Sequence, residues 1–247
     1  MEPRNASVAV VGAGDFIGGA IAKRFAAEGY AVHGGRRNGD KLAALAEEIA
    51  ASGGRFTGHT LDARNEESVA AFLAAAEAEA PLEVCIFNVG ANVQFPLLET
   101  TERVFRKVWE MACYAGFLTG KEAARLMLPR GSGSIFLTGA TASLRGGKGY
   151  AAFASAKAGL RLLGQAMARE LGPQGIHVAH LVIDAGVDTA FVRERIVAAR
   201  GAEALESLPE DTLMDPASIA EAYWSLHQQT RDAWTHELDL RPYGETW

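Results

Sequence analysis

Ser7-Val8-Ala9-Val10-Val11-Gly12-Ala13-Gly14-Asp15-Phe16-Ile17-Gly18 decides how the rest of the chain is read. A short apolar run meets three glycines spaced G-x-G-x-x-x-G, and a helical stretch begins at once. Glycines serve three needs in such a strand–turn–helix: a tight turn, close approach of backbone to a pyrophosphate, and close packing of helix on sheet. The helix N-terminus adds free N–H donors and the positive end of its dipole. Gly12, Gly14, Asp15, Phe16, Ile17 and Gly18 are therefore expected to form a cofactor-binding loop. Asp15 is an awkward neighbour for a pyrophosphate, and its expected role within that loop is to cap the helix.

The same alternation repeats outward from this loop. Ser7–Val11, Ala31–Gly35, Phe56–Thr60, Val84–Phe87, Ser134–Thr138 and His177–Ile183 read as strands, and a last one is expected over residues 237–241. Most are continuous apolar runs, the pattern of strands covered on both faces. Helices are expected over 17–28, 41–51, 66–79, 101–128, 150–171, 191–199 and 217–228. Repeated βα units imply right-handed crossovers and a parallel sheet. The expected fold is α/β: one Rossmann-type, doubly wound domain over residues 1–247, with a sheet of about seven strands and helices on both faces.

Composition narrows the function. The 247 residues are 49% hydrophobic, yet no apolar run is long enough to span a bilayer. The apolar run from Val8 is too short for a signal peptide. Two cysteines, Cys85 and Cys113, make no disulfide framework, which fits a reducing cytoplasm. A net charge of −6 argues against nucleic acid as a partner. No metal site is expected.

The second strand ends in Gly34-Gly35-Arg36-Arg37. An acidic side chain there would accept hydrogen bonds from the adenosine ribose and repel a 2′-phosphate. Gly35 does neither, and the guanidinium forks of Arg36 and Arg37 match phosphate oxygens. The expected cofactor is NADP(H).

Taken together, these residues resemble the short-chain dehydrogenase/reductase family. The family's T-G-x-x-x-G-x-G is matched by Val11–Gly18, with Phe16 in place of the middle glycine. Leu61-Asp62 matches the family's adenine-binding position. Asn88-Val89-Gly90 matches, imperfectly, the N-N-A-G motif. Val187 and Thr189 fall where the family contacts the nicotinamide end, although the usual P-G is missing from Ile183–Thr189. The resemblance also implies a proton-donating tyrosine, a lysine four residues on that binds the nicotinamide ribose, an orienting serine and an asparagine. Lys157 is present, and Phe153 stands at the tyrosine position. The serine position falls on Ala140, or after a one-residue shift on Thr141, whose hydroxyl is the candidate substitute. The asparagine position falls on Cys113.

General acid catalysis requires an ionisable group within hydrogen-bond reach. Tyr150 is a candidate to border the substrate, against its reading as an aromatic packed at the helix entrance; Tyr114 is similar. Asp184, at a strand's carboxyl end, is either an acid with a raised pKa or a loop residue. His180 and Cys85 read as core residues, and Cys113 as an inert thiol. Residues 191–199 are expected to cover the substrate as a lid. Two functions follow. One is a divergent reductase acting on a small carbonyl or conjugated enoyl substrate. The other is a non-catalytic NADP-binding sensor or partner-stabilising protein. A homo-oligomer, tetramer or dimer, is expected from the apolar stripes of 101–128 and 150–171 and from Trp234, Tyr243 and Trp247.

Overall fold

The computed structural model describes residues 2–245. Its strands are β1 Ser7–Val11, β2 Ala31–Arg36, β3 Arg55–Thr60, β4 Leu82–Phe87, β5 Gly133–Thr138, β6 Ile176–Ile183 and β7 Glu237–Leu240. They form one sheet in the order β3-β2-β1-β4-β5-β6-β7, parallel at each pairing. The side-chain period of two explains the unbroken apolar strands. Val8 and Val10 of β1 enter one core with Val84, Ile86 and Phe136; Ala9 and Val11 enter the other with Cys85, Phe87 and Leu137.

Helices α1 Ile17–Ala26 and α9 Pro216–His227 supply Ile21, Phe25, Tyr223 and Leu226 to the first core. The second takes Phe72 and Leu73 from α3 Glu66–Glu79, Leu118 and Met127 from α5 Ala115–Met127, and Leu160 from α6 Ala151–Leu171. Between them in sequence lie α2 Ala43–Ala51, α4 Glu102–Trp109, α7 Ala190–Arg200 and α8 Ala202–Glu206. Strand order reverses beside β1, whose neighbours are β2 and β4. Ligands of doubly wound sheets lie in the crevice outside the strand ends at such a switch point.

One expectation is corrected and one element is added. Residues 101–128 are not one α-helix, because a π-helical turn, Glu110–Tyr114, separates α4 from α5. The five-residue α8 was not expected; it is too short to show a periodic pattern. Of the aromatic tail, Trp234 is half-buried and stacks on His177 at 4.9 Å. Tyr243 is exposed, and Trp247 lies outside the described residues.

Candidate active site

The glycine loop is built as its sequence requires. Gly12 has φ +92°, and a Cβ there would lie 2.6 Å from the Asn88 carbonyl oxygen. A Cβ on Gly18 would collide with the Gly12 carbonyl, so α1 seats directly on the turn. Gly14 has open space where its side chain would be, leaving bare backbone facing outward. Phe16 is tolerated because its φ is −116°, which demands no glycine. Asn88 ties β4 to the turn: its Nδ2 donates to Gly12 O at 3.1 Å and its N–H to Val11 O at 2.8 Å.

A cavity of about 550 Å³ opens beside this loop. It gathers Gly12, Gly14, Arg36, Arg37, Leu61, Asp62, Asn88, Val89 and Gly90 from the expected set. Asp15, Phe16, Ile17, Gly18, Val187, Thr189 and Lys157 do not line it. Gly35 does, and its missing side chain matters, because a Cβ would strike Leu61. Sequence reading missed Lys41 and Arg64 on the wall, along with Asn38, Ala63 and Met111. Only the basic character of Lys41, a few residues after Arg37, was a usable signal. Arg64 donates to both Asp62 oxygens, at 2.9 and 2.7 Å, and this holds the Asp62 carboxyl below the usual carboxylate range.

Asp15 does not cap α1. The N-cap position is Phe16, which has no side-chain acceptor, and the Asp15 carboxylate instead accepts from Arg36 Nη1 at 2.8 Å. The expectation failed because the partner lies on another strand, where local spacing gives no sign of it.

Lys157 is buried in α6 at 3% exposure. Its Nζ donates to Thr138 O at 2.7 Å and Val89 O at 3.2 Å, so it bridges the ends of β5 and β4. Burial lowers its ammonium to about 8. Phe153, 7% exposed, packs with Ala91, Val108, Ala112 and Cys113, with Ala140 against the same cluster. Burial pushes the Cys113 thiol up, against a smaller downward pull from Lys157. Thr141 opens the short 3-10 turn Thr141–Ser143, in which the Ala140 N–H donates to Ser143 Oγ at 3.1 Å. The positions of Phe153, Ala140 and Cys113 thus bring together carbon and sulfur, with Lys157 beside them.

The remaining candidates have other partners. Tyr150 is the residue before α6, and its hydroxyl lies 3.5 Å from Arg195 Nη2 on α7; Arg195 also reaches Gln94 Oε1 at 3.3 Å. Asp184 is 1% exposed and paired with Arg145 at 3.1 Å and Arg241 at 2.6 Å. Both contacts are with guanidinium groups, which tie the end of β6 to residues 145 and 241. Thr189 caps α7 by accepting from Val192 N–H at 3.1 Å. Val187 forms a β-bridge with Met214. His180 is fully buried, 3.3 Å from Glu237, and burial lowers it to about 4.

A doubly wound sheet, a glycine turn at its switch point and a basic cavity beside that turn define a dinucleotide-binding α/β protein. The chain belongs to the short-chain dehydrogenase family, whose family model matches residues 6–198. It is 31% identical over 219 residues to the 3-oxoacyl-[acyl-carrier-protein] reductase MabA of Mycobacterium avium, covering 86% of this chain and 79% of that one. A short-chain dehydrogenase from Rhodopseudomonas palustris, known from its crystal structure, is 60% identical, with a TM-score of 0.84 over 98% of this chain and 100% of the other. An alcohol dehydrogenase from Thermococcus sibiricus, solved with 5-hydroxy-NADP, is 27% identical with a TM-score of 0.79 over 98% of each chain.

Proposed function

We propose that this protein is an NADP(H)-dependent oxidoreductase that reduces a small conjugated enoyl or carbonyl substrate at an active site without the usual tyrosine. The observation that carries the cofactor assignment is the cavity wall. Arg36, Arg37 and Lys41 line its adenosine end, and Gly35 leaves no acid to oppose a 2′-phosphate. The residues fit the group: Gly14 presents open backbone, and the Gly12–Gly18 contact brings the N-terminus of α1 onto the turn. The relative solved with 5-hydroxy-NADP agrees with this choice. When bound, NADPH supplies hydride.

What the chain supplies at the reacting end is more limited. Lys157 is held by two carbonyls, and its remaining N–H would orient a ribose hydroxyl. Phe153 and Ala140 offer no oxygen to protonate a ketone, so the enoyl substrate is the better fit: its proton arrives on carbon and comes from solvent. Thr141 and Tyr150 are the hydroxyls left to border the substrate, and α7, carrying Arg195, would cover it.

The same apolar cluster favours the second reading, a non-catalytic NADP-binding sensor or partner-stabilising protein. One experiment separates them. Calorimetry with NADPH and NADH is followed by NADPH oxidation with ketones, aldehydes and enoyl thioesters. Arg36→Ala plus Arg37→Ala should cost about 10- to 150-fold in NADPH affinity, the equivalent of roughly 1.5–3 kcal/mol. Tighter binding of NADH would overturn the cofactor assignment. Tight NADPH binding with no turnover of any substrate would establish the second reading.

A further inference from the structure

We infer that Asp15 determines cofactor specificity: its carboxylate competes with the 2′-phosphate for Arg36 and so restrains the preference for the phosphorylated cofactor. The inference rests on the NADP(H) reading of the cavity.

The geometry places the competitor on the guanidinium that phosphate would need. Arg36 Nη1 donates to Asp15 Oδ1 at 2.8 Å. The arginine side chain is 22% exposed and the aspartate 68%, so the acid is the more solvated partner. Asp15 has no capping bond to hold it on α1, and the residues join the loop after β1 to the end of β2. The other wall cations differ. Arg64 is held by Asp62, whereas Arg37 and Lys41 have no carboxylate partner at ion-pair distance among the described residues. A phosphate entering beside β2 therefore meets two unpaired cations and one already neutralised. It also meets a negative charge within hydrogen-bond reach of that third cation.

An exposed ion pair is weak, so phosphate can displace it. The aspartate then stays nearby as a like charge, whose repulsion through solvent is worth about three- to tenfold in affinity. A cofactor lacking the 2′-phosphate experiences neither effect.

Adenosine 2′,5′-bisphosphate and AMP isolate this end of the site from hydride chemistry. Calorimetry on the full chain would compare wild type, Asp15→Asn and Asp15→Ala, with circular dichroism confirming that each folds. Asparagine keeps a hydrogen-bond acceptor and removes the charge. Both variants should bind the bisphosphate about three- to tenfold more tightly, with AMP changed less than twofold. A wild-type preference for the bisphosphate that Asp15→Asn leaves unchanged or weakens would overturn this inference alone. So would an affinity gain in Asp15→Asn but a loss in Asp15→Ala, which would make Asp15 a positioning residue. Weaker AMP binding in the variants would assign Asp15 to the ribose hydroxyls and overturn it equally. Absence of any wild-type preference for the bisphosphate would bring down the NADP(H) reading and this inference with it.

Discussion

The Lys157 ammonium donates to the Thr138 carbonyl oxygen at 2.7 Å, and among the described residues no carboxylate pairs with this buried charge. Two neutral carbonyls take two of its three N–H donors but do not compensate its desolvation, hence the fall to about 8 from the ordinary 10.5. The sign follows from proton binding. Below pH 8 folded and unfolded states both hold the proton, and stability has no slope from this group. Between pH 8 and 10.5 only the unfolded state holds it, so stability rises with pH.

Wild type should therefore gain on the order of 1–3 kcal/mol relative to Lys157→Met between pH 7.5 and 10. Urea unfolding of both proteins at the two pH values measures it. A difference that stays constant would mean that Lys157 titrates normally.

The glycine loop separates stability from binding. Gly12→Ala forces a side chain into a φ of +92° and against the Asn88 carbonyl. Such strain costs on the order of 1–3 kcal/mol before the collision is counted. Gly14→Ala adds a methyl to open space and should change stability by less than about 0.5 kcal/mol. It should nevertheless weaken NADPH binding at least tenfold, because the methyl occupies the approach to the turn. Thermal unfolding and calorimetry together check both halves. Normal NADPH affinity in Gly14→Ala would remove this turn from the cofactor site.

The contrast between Asp15 and Asn65 shows what the sequence conveyed about this protein. Asn65 does cap α3, accepting from Ser68 N–H at 2.7 Å, and α3 starts and ends where its pattern predicts. Local chemistry sets such boundaries. The apolar strands were legible for a similar reason, since both faces of the sheet are covered. Asp15 has the same capping chemistry but meets Arg36, and Asp184 meets Arg145 and Arg241; these pairings depend on how strands are ordered in space. Arg64 was missed because an arginine two residues after an aspartate is unremarkable until both reach one cavity. The Thr101–Leu128 stretch has helical periodicity throughout, so nothing in its pattern marks the π turn at Glu110–Tyr114.

An aromatic surface on α4 and α5 predicts self-association. Tyr114 stacks between Trp109 and Phe117, 6.2 Å from each. Trp109 and Phe117 remain 42% and 43% exposed, and Phe105 on α4 is also exposed. Large exposed aromatics grouped on one face are characteristic of protein interfaces. Light scattering should show a dimer or tetramer at micromolar concentration. Trp109→Glu plus Phe117→Glu should shift it toward monomer without loss of helical content. A wild-type monomer would refute the prediction.

Phe153→Tyr tests the proposed chemistry most directly. If only a hydroxyl were missing, adding it would restore ketone reduction, since general acid catalysis contributes about 10²–10⁴ in rate. The surroundings argue otherwise. Phe153 is 7% exposed among Ala91, Val108, Ala112 and Cys113, and Ala140 packs on the same cluster. A phenol there meets carbon at Ala140 and sulfur at Cys113, and a buried hydroxyl without a partner costs about 1–3 kcal/mol. The single variant should lose stability and gain less than about tenfold in NADPH-dependent ketone reduction. Adding Ala140→Ser and Cys113→Asn gives the phenol polar neighbours and should raise the rate at least another tenfold, within the range of general acid catalysis. NADPH oxidation with a ketone panel compares the three proteins. A hundredfold gain from Phe153→Tyr alone would mean that the site already positions a carbonyl oxygen, and the preference for an enoyl substrate would fall.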